Sequence, residues 1–207
     1  AIALLGQAEA LVRATGLRGI HFVDEAMPAG LMQRFGLLAK ERLPDLAWWG
    51  NVRFDRSFTP AVCRTMKEGG CVAVSGGLEG LVDSVLTRMK KGVRLVPMIQ
   101  SLLAFRNSGI LVHAYLIHAF PGSTVKETVD ALEVLRQLFQ ADLLGSAFWH
   151  RFALTVHSPV FAEAKSYGLH GVCVPSGGFA RNEAHYEEDG IEAVDLLGDG
   201  LRKATFN

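Results

Sequence analysis

Apolar positions recur along this chain with two alternating periods. Leu4, Leu5, Ala8, Leu11 and Val12 fall on one face of a helix. Gly16 and Gly19 bracket a turn, and GIHFVDEA (19–26) reads as a buried strand ending in two carboxylates. Pro28 suits the first turn of the next helix. Its face is Leu31, Phe35, Leu38 and Ala39, and Pro44 ends it. LAWWG (46–50) is a second strand; Pro60 opens a helix to Lys67, closed by Gly69–Gly70. CVAVSGG (71–77) is a third strand running into a glycine-rich turn. Helices follow at 80–89 and 94–108, separated by Gly92 and ended by Gly109. ILVHAYLI (110–117) is a fourth strand, and FPGST turns the chain. Ser123 or Thr124 caps a helix over 125–140 whose face is Val129, Leu132, Leu135, Leu138 and Phe139. SAFWHRFALTVH (146–157) is a fifth strand. Past Ser158–Pro159 the pattern weakens: Gly171–Gly178 reads as loop, and a last helix starts again at Gly200.

Strands alternating with helices predict an α/β chain with a mostly parallel sheet. The strands are apolar on both faces, as parallel strands covered by helices are. Five strands fall short of an eight-stranded barrel of ~250 residues, so a partial (βα) barrel or a doubly wound sheet fits better. Residues 1–170 read as one domain and 171–207 as a C-terminal loop and helical tail.

Composition narrows this further. The 207 residues carry 21 Lys+Arg against 21 Asp+Glu, so the zero net charge argues against a dedicated nucleic-acid or membrane-surface binder. No run of apolar residues is long enough to span a bilayer, and the first helix has Glu9 and Arg13 inside it, unlike a signal peptide. Cys63, Cys71 and Cys173 are odd in number and widely spaced. They read as reduced thiols of a cytoplasmic protein, with no metal site among them. Both ends of the chain are abrupt, which suggests a segment of a longer protein.

In parallel α/β folds ligands sit at the C-terminal ends of strands. Those exits carry Asp24 and Glu25; Asn51 and Arg53; Ser75, Gly76, Gly77 and Glu79; His118, Pro121 and Gly122; and His157 with Ser158. Each has a plain structural reading. Asp24, Glu25 and Glu79 would favour the positive end of a following helix, and Arg53 would serve a surface ion pair. His118 and His157 beside apolar runs suit core residues, while His21, His113 and His150 suit structural or barrel-lining positions. His170 and His185 read as loop residues. His113, His118 and His157 could converge with Asp24, but no HxH or HExxH spacing supports a metal site. The chain has no GxSxG elbow and no Walker loop, and SGGLEG is not a GxGxxG fingerprint.

Taken in order, the exits resemble the catalytic core of radical S-adenosylmethionine (SAM) enzymes, above all the branch joined to a cobalamin-binding domain. The matching pieces run through 20–168: FVDEAMP, WWGNVRFD, MKEGGCVAVSGGLEG, VLTRMKKG, VHAYLIHAFPGSTVKETVDAL, and FALTVHSPV with YGL. The resemblance implies that the five strands are the second to sixth of a partial (βα)6 barrel. It implies a C-x3-C-x2-C loop upstream that holds a [4Fe–4S] cluster in the full-length protein, with one iron open to SAM. By the same resemblance, Asp24 and Glu25 stand near the SAM amino group and Arg53 near its carboxylate or the cluster side. Ser75, Gly76 and Glu79 belong to the exit that contacts the ribose or methionine part, and Ile117, His118 and Pro121 lie beside the adenine. Cobalamin is a candidate further cofactor.

Three positions depart from the family pattern: Gly80 replaces a Ser, Ala119 a Gly and Ser123 a Glu. His118 is not usual in the family, which points to a substrate of its own subfamily. The expected function is therefore SAM binding at the strand rim and, with an upstream cluster, formation of a 5′-deoxyadenosyl radical. The chain alone is expected to be inactive. A non-catalytic binding domain that kept the barrel is the alternative, ahead of a metal-dependent hydrolase. The substrate, a small molecule or a peptide, stays open, and an exposed barrel edge invites self-association.

Overall fold

The computed structural model describes residues 1–176 and 182–206. Five strands, β1 (Gly19–Phe22), β2 (Ala47–Val52), β3 (Cys71–Glu79), β4 (Leu111–His118) and β5 (Ser146–Arg151), form one parallel sheet. Its order is β1-β2-β3-β4-β5, so chain order and spatial order coincide and β1 and β5 are its edges. The crossovers carry α2 (Ala29–Arg42), α3 (Pro60–Glu68), α4 (Asp83–Arg88) with α5 (Leu95–Asn107), and α6 (Val125–Gln140); α1 (Ile2–Thr15) precedes the sheet. This is the partial barrel expected from the strand count. Among the described residues the sheet does not close on itself. No helix among them is long and apolar enough to cross a membrane.

Register separates the two faces of the sheet. Partnered residues of parallel strands share a face, and successive residues alternate. One set, including Trp48, Val52, Val74, Val112, Leu116 and Trp149, is buried with Met32, Phe35, Met66, Leu102, Phe105 and Leu135 of the helices in one core. The other set aligns His21 with Trp49, Asn51 with Ser75, Ser75 with His113, and Tyr115 with Phe148. Trp49 and Tyr115 remain 36% and 40% exposed there, so no helix among the described residues covers this side. The strands are not buried on both faces as their composition suggested.

Local chemistry explains the helix ends. Thr59 caps α3 by accepting the Val62 N–H, with Pro60 in the first turn. Thr124 and Glu127 form a reciprocal capping box at the start of α6. The chain can turn after α3 because Gly69 lies against Gly36 of α2, where a Cβ would come within 2.1 Å of the Gly36 carbonyl oxygen.

Several boundaries differ from the sequence reading. β1 stops at Phe22, leaving Asp24 and Glu25 in an exposed loop beyond it. β3 runs on to Glu79, so Gly76 and Gly77 are strand residues and not a turn. β5 ends at Arg151, which removes His157 from any strand exit; Ser158 instead caps α7 (Pro159–Ala162). Val129 of α6 is exposed, and Thr128 and Ala131 are buried in its place. His170 and His185 lie in an antiparallel pair, β6 (His170–Cys173) and β7 (His185–Glu187). The expected loop over 171–178 therefore begins as strand, and Gly177 and Gly178 fall outside the described residues. The last helices are α8 (Glu192–Asp195) and α9 (Gly198–Phe206), the latter starting two residues before Gly200.

Candidate functional site

At the C-terminal ends of β1, β2 and β3 the structure forms a pocket of about 340 Å³. Glu25, Arg53 and Glu79 line it together with Lys91. Each is set by its own stretch of backbone. Asn51 ties down the loop after β1: its side-chain amide donates to the Asp24 carbonyl at 2.9 Å, and its backbone carbonyl accepts the Met27 N–H at 2.8 Å. A register shift near the end of β3 coincides with a positive φ of 60° at Glu79. Such a bulge re-aims a side chain at the end of a ladder. The Glu79 carboxylate folds back over Gly77, where a Cβ would lie 2.3 Å from its Oε1. Gly77 is thus needed to admit a carboxylate of this same chain.

The charges of the pocket alternate. Lys91 Nζ lies 2.9 Å from Glu79 Oε1, and the Arg53 guanidinium donates to the Lys91 carbonyl. Lys91 lies in the VLTRMKKG segment and joins the site beyond the residues expected from the sequence. Its signal was the adjacent Gly92, whose φ of 65° turns the chain back over the pocket.

The remaining expected residues are placed elsewhere. Asp24 contributes its carbonyl to the Asn51 clamp. Ser75 lies deeper on the open face, 1% exposed, where its hydroxyl accepts the Trp49 indole N–H at 2.9 Å. Gly76 faces the helices, because a Cβ there would meet the Val52 carbonyl oxygen at 2.5 Å and the Phe54 ring at 2.7 Å. Ile117 is half-buried on the open face. Pro121 is buried in the loop after β4.

His118 points the other way, toward the helices, and is 6% exposed. Its ring meets Trp149 edge-on, and a Cβ on Gly198 of α9 would come within 2.6 Å of it. Burial pushes its pKa down, against the opposing pull of Asp195. Its Nδ1 is buried without a hydrogen-bond partner. Together with Gly80, Ile117, Ala119, Ser123 and Trp149 it lines a cavity of about 10 Å³, room for one water at most.

The departures from the family pattern have visible local consequences. Ala119 sits at φ 54°, a left-handed conformation that costs a residue with a Cβ and suits glycine. At Gly80 a Cβ would lie 2.4 Å from Val85 Cγ1, which leaves a serine no room in this arrangement. Ser123 lacks a carboxylate, but Glu188 Oε1 accepts the Gly122 N–H at 2.6 Å in the same loop. Burial raises the Glu188 pKa. Glu127 braces the loop from below by accepting from both terminal Arg88 nitrogens, at 3.0 and 2.6 Å, and from the Ser84 hydroxyl at 2.5 Å.

The cysteines do not fit an iron–sulfur cluster. Cys63 and Cys71 are buried thiols, with Cys63 pushed up to about 12 by desolvation and Cys71 raised by the same cause. Cluster ligation needs thiolates. Cys173 is exposed on β6. No group of three His, Cys, Asp or Glu side chains is placed to hold a metal among the described residues.

The open face above Ser75 carries rings. His113 and Tyr115 meet edge-on at 4.9 Å, Tyr115 lies 5.9 Å from His150, and Phe148 lies 4.6 Å from His150.

No protein-family model matches the chain. An uncharacterized methyltransferase, PH0819 of Pyrococcus horikoshii, is 25% identical over 125 residues, covering 59% of this chain and 27% of that protein. The cobalamin-dependent SAM radical enzyme OxsB, with aqua-cobalamin bound, superposes with a TM-score of 0.71 at 14% identity, over 93% of this chain and 35% of OxsB. The radical SAM methyltransferase TsrM from Kitasatospora setae, with tryptophan and a SAM analogue bound, gives 0.70 at 14% identity, over 100% of this chain and 45% of TsrM. The fold is the one these radical SAM enzymes share over most of this chain. The chain spans less than half the length of each of these relatives.

Proposed function

We propose that the rim pocket binds SAM and that the chain is the SAM-binding part of a radical SAM enzyme. The observation that carries this is the pairing of two carboxylates, Glu25 and Glu79, with two cations, Arg53 and Lys91, around one pocket. The methionine end of SAM has the complementary pattern: an ammonium and a sulfonium beside a carboxylate. Carboxylates suit the former and a guanidinium the latter. The Asn51 clamp and the Glu79 bulge hold the charges in place before ligand arrives, which lowers the ordering cost of binding.

A [4Fe–4S] cluster would supply the electron that cleaves SAM, on thiolates other than these three. The open face with its rings is the side on which an acceptor substrate would lie. Methyl transfer is the reaction class that the names of PH0819 and TsrM support. Ala119 favours a second reading, a binding domain that retains the barrel without the chemistry, because the loop beside the proposed adenine contact is held in a conformation costly for alanine.

Calorimetric titration of the purified chain with S-adenosylhomocysteine tests the binding. Saturable binding is expected, weakened about 10-fold or more by Glu79→Gln or Arg53→Gln, since each removes a charge-assisted hydrogen bond. Binding that ignores both substitutions overturns the assignment. The coding sequence upstream of the Ala1 codon then separates the two readings: a C-x3-C-x2-C segment supports the enzyme, and its lack supports the binding domain.

A further inference from the structure

We propose that a groove beside the rim pocket binds an anionic group of the substrate, a carboxylate or a phosphate, and that Arg56 and Arg94 grip it. The inference rests on the SAM reading of the adjoining pocket, and it adds the chemistry of the second ligand. The groove has a volume of about 440 Å³ and runs between the loop after β2 and the loop joining α4 to α5. Val93 lines both the groove and the rim pocket, so the two are neighbours across one side chain.

The charges differ between the two. In the rim pocket Arg53 and Lys91 are engaged, by the Lys91 carbonyl and by Glu79, and nearby Lys90 holds Glu163 at 2.8 Å. Arg56 and Arg94 line the groove, and their guanidinium groups make no ion pair or hydrogen bond among the described residues. Elsewhere Arg18, Arg42, Arg88, Arg106, Arg136, Arg151 and Arg202 each pair with a carboxylate, while Arg13 and Arg34 do not among the described residues; what marks the groove is two unpaired arginines in one lining. Asp55 is the acid in the groove lining, and it accepts both the N–H, at 2.8 Å, and the hydroxyl of Ser57. Asp55 therefore shapes the turn that presents Arg56 and leaves the lining net positive.

The first turn of α5 also enters the groove through Pro97, and the positive end of that helix favours an anion. Its Leu95 N–H is already taken by Asp83 Oδ1 at 2.8 Å, so the arginines carry the recognition. A guanidinium offers a planar fork that matches carboxylate and phosphate alike. A substrate bound here would place its anionic end in the groove and its remainder toward the SAM pocket.

Titration of the chain with pyrophosphate and, separately, with succinate tests this at physiological ionic strength, with S-adenosylhomocysteine run in parallel. At least one anion is expected to bind, and which one names the group. The double variant Arg56→Gln/Arg94→Gln should lose about 10-fold or more in affinity, as expected for charge-assisted hydrogen bonds, with S-adenosylhomocysteine binding unchanged. Arg56→Lys/Arg94→Lys should fall between, because it keeps the charge and loses the fork. Absence of binding by both anions overturns the proposal, and so does anion binding that the glutamine variant leaves intact. Failure of the SAM reading is separate: it shows as arginine-dependent anion binding with no S-adenosylhomocysteine binding.

Discussion

Trp48 and Trp49 are neighbours on one strand and belong to different parts of the protein's work. Trp48 is 1% exposed, donates its indole N–H to the Gly69 carbonyl at 2.7 Å, and meets Phe22 and Phe35 edge-on. Trp49 is on the open face, tilted against His21 at 5.2 Å and bonded to Ser75. The pleat sends one ring into the helix layer and the other into open space. The contrast separates two demands usually fused in a parallel sheet. The covered face holds the fold together, and the open face is the side on which the proposed substrate would lie.

The largest effect is expected at Trp48. Trp48→Ala should cost about 3–5 kcal/mol in urea unfolding, as expected for a fully buried aromatic. The next effect is at the loop brace. Burial alone would raise the Glu127 pKa, but hydrogen bonds from Arg88, Ser84 and Thr124 outweigh it and hold the carboxyl down at about 2. A depressed carboxylate contributes stability present above its unfolded pKa and lost as pH falls toward the folded value. Glu127→Gln should therefore cost about 2 kcal/mol near neutral pH. Its deficit should shrink between pH 4.5 and about 2 in acid titrations followed by circular dichroism.

A third test concerns His118 on the covered face. Its folded pKa is depressed below 6.5, so the unfolded chain takes up the proton first, and stability falls as pH drops through that value. His118→Gln should flatten this part of the stability profile; an unchanged slope would remove His118 as its source. The smallest effect should come from Trp49→Ala, at roughly 1–1.5 kcal/mol, for partial burial and the lost Ser75 hydrogen bond. If it matched the loss at Trp48, the open face would be part of the stabilising core and the contrast would fail.

Much of the fold was legible because β-strand and helix periods differ and the punctuating residues are strong. Pro28, Pro60, Gly69–Gly70, Gly109 and Thr124 stand at element boundaries. What could not be read was one-sided coverage. An apolar strand looks the same whether one face or two are covered, and the exposure of Tyr115 depends on strands and helices far away in sequence. The end of β3 was misread for a related reason. Gly76 and Gly77 resemble a turn, yet one makes room for Phe54 and the other for Glu79. Of the rim residues, Glu25, Arg53 and Glu79 converge, because charged residues just past a strand have few places to go. His118 does not, since one step along a strand reverses its direction.

The matching of strand order to chain order has a consequence during synthesis. A strand leaving the ribosome can pair only with what has already emerged. Here each of β2 to β5 finds a required neighbour in the strand made just before it. Pairing between distant parts of a chain slows folding, and this topology avoids every pairing that skips a strand. From β1 to β5 the sheet can grow by addition at one advancing edge, with each new crossover helix sealing the last strand before the next arrives.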